Sequence, residues 1–281
     1  MVAGRYRLDR ELGRGGMGAV FAATDLESGA PVAVKVLHSA LADQPDLLER
    51  FFQEARAAAA LSHPNVVEVL DTGLEDHVAY IALELLEGES LGARLSRERR
   101  LSPAEALRVL LPVIDALVTA HDTKILHRDL KPENVFLAVD ADGTETVKLL
   151  DFGLAKLLEN AVIHTQQGAV LGTPGYMSPE QMRGVGELTP ATDVWSLGVV
   201  FFRALAGELP FPVEDNPTMM VMKMLTSETP RLREVAPDVP PRLAAAIDLA
   251  LKHSPETRHR DMRELREALL EAAEADSIAL P

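Results

Sequence analysis

The order of periodicities along the 281 residues predicts an α+β fold in two lobes: a small antiparallel sheet of five strands with one main helix, then a larger, mostly α-helical lobe. Three observations predict it. Short alternating or continuously apolar runs fill the N-terminal part as far as Glu84, and after Gly88 the period becomes helical. Between them, Leu83-Glu84-Leu85-Leu86 leads into Gly88 and reads as a hinge over about 84–88.

Taking the elements in order, Tyr6 to Leu12 and Ala19 to Thr24 alternate as strands around a glycine-rich turn, and Pro31 to Leu37 is a strand of buried type. Leu47 to Leu61 carries Phe51, Ala55, Ala58 and Leu61 on one helical stripe and ends at His63-Pro64-Asn65. Val66 to Leu70 and Val78 to Glu84 complete the five strands. In the second lobe, Ser102-Pro103-Ala104-Glu105 starts a helix that runs through His121. A hairpin follows, with Val135 to Leu137 and Val147 to Leu150 around Asp140-Ala141-Asp142-Gly143. That turn lacks the further ligands of a calcium loop. Leu154 to Met177 shows no clear periodicity, and a loop of that length is uncommon in a compact domain unless functional or disordered. Helices are expected around Asp193 to Ala206, Thr218 to Ser227, Arg242 to His253 and Arg260 to Ala275, with Asp276 to Pro281 frayed.

Composition narrows the function classes. Hydrophobic residues make up 47 % and charged residues 25 %, as in soluble globular proteins. A formal charge of -15 repels phosphate backbones, which argues against a nucleic-acid partner. With no cysteine, disulfides and thiolate metal sites are excluded. The start, Met1 to Arg7, lacks the apolar core of a signal peptide. The longest apolar run, Val194 to Phe202, stops at Arg203 after about nine residues, where about twenty would span a bilayer. The expectation is a soluble, cytoplasmic chain with no membrane span of its own.

The chemistry concentrates in His127-Arg128-Asp129-Leu130-Lys131-Pro132-Glu133-Asn134 and, one hairpin later, Asp151-Phe152-Gly153. Asp129 can take a proton from a hydroxyl, while Asn134 and Asp151 are hard oxygen ligands suited to Mg²⁺ that already carries a nucleotide phosphate. In Gly13-Arg14-Gly15-Gly16-Met17-Gly18-Ala19-Val20, the glycines let backbone N–H groups approach phosphates. The strand-turn-strand setting separates this turn from a dinucleotide fingerprint. Lys35 sits inside the apolar run Pro31 to Leu37, where an ammonium is costly without an anion. Phosphates and a carboxylate would supply one, and Glu54, in the middle of the first helix, is the natural partner.

In these blocks, and over about Tyr6 to Leu270, the chain resembles the Hanks-type (eukaryotic-like) serine/threonine protein kinases. Gly-Arg-Gly-Gly-Met-Gly and Ser178-Pro179-Glu180-Gln181 are most similar to the bacterial branch. The resemblance implies a bilobal protein kinase fold over 1–281, with an N-lobe of about 5–84, a C-lobe of about 89–275 and an activation segment at 151–180. It implies ATP and Mg²⁺ as cofactors and transfer of the γ-phosphate to serine or threonine hydroxyls of protein substrates. A second copy of the chain would be the partner during autophosphorylation.

Residue by residue, the resemblance implies that Leu12 to Val20 covers the nucleotide and Lys35, fixed by Glu54, contacts its α- and β-phosphates. Val20, Ala33 and Phe136 would sandwich the adenine beside the main chain of Glu84 and Leu86. Asp129 would be the base, Lys131 would contact the γ-phosphate, Asn134 and Asp151 would hold the metal, and Thr173 would help seat the acceptor. Lys131, two residues after Asp129, is the serine/threonine pattern. Asp193 would anchor the catalytic loop and Glu180 would pair with Arg258. Arg128 and Lys156 match a basic pocket for a phosphothreonine, with Thr165 as the acceptor. Where bacterial members often carry a second threonine, this chain has Gln167. Two readings compete: a pseudokinase scaffold that binds nucleotide without turnover, and a small-molecule phosphotransferase.

Overall fold

The computed structural model describes residues 1–15, 18–37, 45–75, 77–151, 174–184, 188–212 and 216–280, without the side chains of 45–47, 50, 53, 54, 57 and 217. Strands β1 (Tyr6–Arg14), β2 (Gly18–Asp25) and β3 (Pro31–Leu37) come first, followed by helix α1 (Pro45–Ala59), β4 (Val69–Glu75) and β5 (Val78–Glu84). These five strands form one antiparallel sheet in the order β1-β2-β3-β5-β4. The valine-rich β3 therefore lies in the middle, with Val20 and Ile81 opposite Lys35 on its two neighbours. Phe51 and Ala55 of α1 are buried against Leu37, Ala79 and Ile81, which fastens the helix to the sheet.

The second part begins with β6 (Gly88–Ser90), α2 (Leu91–Glu98) and α3 (Pro103–Asp122). Ser102 and Glu105 close a capping box at the start of α3, as the sequence pattern requires. A turn of 3₁₀ helix at Pro132–Asn134 leads into the hairpin β7 (Val135–Val139) and β8 (Glu145–Leu149), and β6 pairs with β7 to make a three-stranded sheet. Gly88 has φ +134° and lies so close to the Leu137 carbonyl that no β-carbon would fit there. The remaining helices are α4 (Pro179–Arg183), α5 (Pro190–Ala206), α6 (Pro217–Thr226), α7 (Leu232–Val235), α8 (Pro241–Ala250) and α9 (Met262–Ala275).

Helix α5 is buried on nearly every side, and Trp195, Phe201 and Phe202 are wholly buried in the core it shares with α3, α8 and α9. The Val194 to Phe202 run is thus the centre of a globular core, each large side chain contributing roughly 1.5–3 kcal/mol by burial. Among the described residues no helix is long and apolar enough to cross a membrane.

Three expectations are corrected. The strand expected at Val66 to Leu70 starts at Val69, because Val66 instead bridges Leu149 in parallel and buries its side chain in the helical core. The helix expected from Asp193 begins at Pro190, a proline being suited to the first helical position. Asp276 is not frayed: its carboxylate accepts hydrogen bonds from the Arg242 and Leu243 amides at 3.0 Å, capping α8.

Candidate active site

The glycine turn joins β1 to β2. Gly18 pairs with Leu37, and a β-carbon there would collide with the Val36 carbonyl, so only glycine permits the close strand approach. Gly13 and Gly15 face open space instead, room that suits a ligand approaching the backbone. Gly16 and Met17 lie outside the described residues. Leu12 and Arg14 are exposed on β1, and the Arg14 guanidinium is bonded to Glu11. Ala19 and Ala33 are buried and Val20 is half-buried.

Lys35 reaches across the cleft. Its ammonium donates to Asp151 Oδ1 at 2.7 Å, so the central strand of the upper sheet touches the residue that follows the lower hairpin. The Glu54 side chain is outside the described residues. Burial opposes the charge of Asp151, but the Lys35 ammonium, with help from His127 and Lys131, holds its carboxyl below the usual carboxylate range. Both ends of the hairpin come together because Leu150 N–H donates to the Asn134 carbonyl at 2.8 Å.

Asp129 is the hub of the lower side. Its Oδ2 accepts from Lys131 Nζ at 2.7 Å and from Asn134 Nδ2 at 3.1 Å, and Asn134 Nδ2 also donates to the Asp129 carbonyl at 2.7 Å. With its amide nitrogen committed, Asn134 keeps its carbonyl oxygen as the acceptor for a cation. Asn134 and Asp151 are an oxygen pair of the kind that completes an Mg²⁺ shell together with phosphates and water, so the residues present fit that ion.

Arg128 and Asp151 have φ of +65° and +51°. Neither is glycine, so each conformation stores strain on the order of 1–3 kcal/mol and must be held by its surroundings. For Arg128 the restraint is visible on both sides. Its N–H donates to Asp193 Oδ1 at 2.8 Å, and its carbonyl accepts from Gln181 Nε2 at 2.8 Å. Asp193, fully buried on α5, also accepts from the His127 amide at 2.9 Å and meets His121 Nε2 at 2.8 Å. Arg258 joins Glu180 through two hydrogen bonds of 2.8 Å and stacks over Trp195, tying α4 to the core as expected.

Sequence reasoning assigns His121 no role and names Gln181 only within the Ser178 to Gln181 motif. Gln181 closes a capping box with Ser178 at the start of α4 while donating to Arg128, a role that a glutamate could not fill. Their signal was weak, since each acts only through contacts distant in sequence. Phe136 is half-buried in β7, between Ser90 and Lys148 on the neighbouring strands, and Glu84 and Leu86 lie at and beyond the end of β5. Thr165, Lys156 and Thr173 lie outside the described residues.

Two carboxylates, Asp193 fully buried and Glu180 half-buried, make a pH prediction. Burial raises the pKa of Asp193 and of Glu180, yet the His121 contact and the Arg258 ion pair overcome it and leave both lowered. Their stabilising effect is therefore present above the ordinary carboxylate range and lost as pH falls through the lowered values. The urea midpoint is expected to hold near neutrality and drop steeply below about pH 4, less steeply in Glu180→Gln. A midpoint flat down to about pH 3 would contradict the two pairings.

Comparison with known proteins agrees with this geometry. The family described as protein kinase domain matches residues 6–272. Serine/threonine-protein kinase PknA of Mycobacterium tuberculosis is 41 % identical over 264 residues, 92 % of this chain and 59 % of PknA. PrkC of Bacillus subtilis is 35 % identical over 99 % of this chain and 42 % of its own length, and Pkn1 of Myxococcus xanthus 40 % over 95 % and 38 %. The chain thus spans about three fifths or less of these relatives. The crystal structure of the M. tuberculosis PknI kinase domain superposes with a TM-score of 0.75 at 28 % identity, covering 95 % of this chain and 96 % of that one.

Proposed function

Since the chain belongs to the protein kinase family, we propose that it transfers the γ-phosphate of ATP to serine and threonine hydroxyls of proteins, using Mg²⁺. The observation that carries the reading is the convergence of two bonded sets, Lys35 with Asp151 and Asp129 with Lys131 and Asn134, brought together by the Leu150 N–H bond to the Asn134 carbonyl at 2.8 Å. Asp129 orients the acceptor hydroxyl and takes its proton. Lys131, already beside Asp129, steadies the charge of the transferring group, and Lys35 passes from Asp151 to the α- and β-phosphates. Asn134 and Asp151 hold Mg²⁺, which neutralises phosphate charge when bound. The adenine lies between Val20 and Ala33 above and Phe136 below, along the main chain of Glu84 to Leu86. Leu12 to Val20, including Gly13, Arg14, Gly15, Gly16, Met17, Gly18 and Ala19, closes over the phosphates.

Thr173 seats the acceptor, and Arg128 with Lys156 receives a phosphate on Thr165. Supporting the regulatory part, Arg128 Nε is buried with no partner among the described residues. The serine/threonine assignment draws on Lys131 and on relatives named as serine/threonine kinases. A location in the cytoplasm and encounter of two copies during autophosphorylation belong to the same reading. Mass spectrometry of the purified chain before and after ATP and Mg²⁺ tests it. Phosphate is expected on serine and threonine, Thr165 included. A chain that gains none, and phosphorylates no added protein, would contradict the reading.

A further inference from the structure

Asp129 ends a turn that is held in a strained shape from two sides. Its N–H donates to the His127 carbonyl at 2.9 Å, closing a three-residue turn around Arg128 at φ +65°, the rarer and more strained hand of such a turn. Two rigid peptide planes meet at the Arg128 Cα, and each is pinned from outside the turn. In the plane before it, the Arg128 N–H donates to Asp193 Oδ1 at 2.8 Å. The plane after it contains the Arg128 carbonyl and the Asp129 N–H, and that carbonyl accepts from Gln181 Nε2 at 2.8 Å. The first support comes from α5, the second from α4.

The Gln181 side chain, only 7 % exposed, is bonded at both ends of its amide. Its Oε1 accepts from the Ser178 N–H at 3.1 Å, while Ser178 Oγ accepts from the Gln181 N–H at 3.3 Å. Ser178 is wholly buried and follows the turn Pro174–Tyr176 by two residues. One amide group therefore joins the stretch from Pro174 to Ser178 to the peptide plane from which Asp129 projects. We propose that Gln181 is a positioning residue for Asp129: by holding the Arg128 carbonyl it aims the carboxylate of the base, and it makes the seating of Pro174 to Ser178 a condition for that aim. The proposal rests on the assignment above of Asp129 as the base. Lys35 and Asp151, bonded to each other, and the chain at Glu84 to Leu86 lie outside this link, so nucleotide affinity does not pass through it.

Gln181→Glu isolates the bond. Serine three residues before glutamate is itself a capping box, so the variant keeps the contact with the Ser178 N–H and loses only the donor to Arg128, setting two acceptors against each other. The test measures the transfer rate to a serine peptide at saturating ATP and Mg²⁺, the Kd for ADP by calorimetry, the melting temperature, and hydrogen–deuterium exchange of the amides of His127 to Asp129. Gln181→Glu is expected to slow transfer on the order of tenfold, with Kd within about twofold of wild type and faster exchange in the turn. Gln181→Met, which lacks both polar groups, slows transfer similarly and melts lower. In an Asp129→Asn background neither substitution lowers the residual rate by more than about twofold, because the effect runs through Asp129. A merely structural role would lower the rate by the same factor in both backgrounds, and that result overturns the proposal. Unchanged rate and exchange in a folded Gln181→Glu overturns it as well. If that variant melts below the assay temperature, Gln181→Met decides by the same two criteria. A wild type that transfers phosphate at a rate indifferent to Gln181 refutes only the positioning role. A wild type that transfers none refutes the phosphotransfer, and the exchange of His127 to Asp129 still decides whether Gln181 holds the turn.

Discussion

Asp129→Asn is expected to slow phosphotransfer by on the order of 10²- to 10⁴-fold, the usual contribution of a general base. The substitution keeps the size and shape of the side chain but removes its basicity and charge. Lys131 Nζ, 2.7 Å from Asp129 Oδ2, loses its counter-ion, and the new amide group presents hydrogens to Lys131 and Asn134, which are themselves donors. Nucleotide affinity is expected to stay near that of wild type, because Lys35, Asp151 and the chain at Glu84 to Leu86 are untouched. Single-turnover kinetics at saturating ATP and Mg²⁺, with ADP binding measured alongside, separate the two effects. A near-normal rate would remove Asp129 from the chemistry, whereas weak binding with a normal saturated rate would make it a binding group.

Asp193→Ala is expected to cost on the order of 3–5 kcal/mol of stability, because it strands buried groups on three partners at once. The amides of His127 and Arg128 and the His121 ring all lose their acceptor in a fully buried place. For a chain of this size the loss corresponds to a fall in melting temperature of roughly 10 °C. Arg128, at φ +65°, is held by Asp193 on one side and Gln181 on the other. Removing one restraint lets the strained turn relax, so the folded fraction is also expected to lose most of its transfer rate. Asp193→Asn, which keeps one acceptor oxygen, should lose clearly less stability than Asp193→Ala in calorimetric melts. Equal melting temperatures for wild type and Asp193→Ala would show that the anchor carries no energy.

What was legible in the sequence follows the range of the interactions. Asp129, Lys131 and Asn134 lie within six residues and contact one another, so their spacing stated their geometry before any fold was known. Four of the five upper strands were legible because apolar patterning is a local signal, as was the start of α3 through its capping box. Other elements left too little local trace. Strand β6 is three residues long, and α2 buries only Leu91 and Leu95 on one face. Val66 looked like a strand residue because apolar β-branched runs look alike in either setting, yet the helical core claims its side chain. The bonds of Lys148 to Glu84 and of His121 to Asp193 join residues 64 and 72 apart, and nothing local marks either pair.

The measurement that bears most directly on the chemistry is the partition of label from γ-labelled ATP and Mg²⁺ among a serine/threonine protein, a tyrosine peptide, small-molecule alcohols and water. Label is expected on serine and threonine hydroxyls, dependent on Mg²⁺ and lost in Asp129→Asn. Label found only on small alcohols or released to water, and equally so in Asp129→Asn, would contradict the assignment of this cleft to protein phosphorylation.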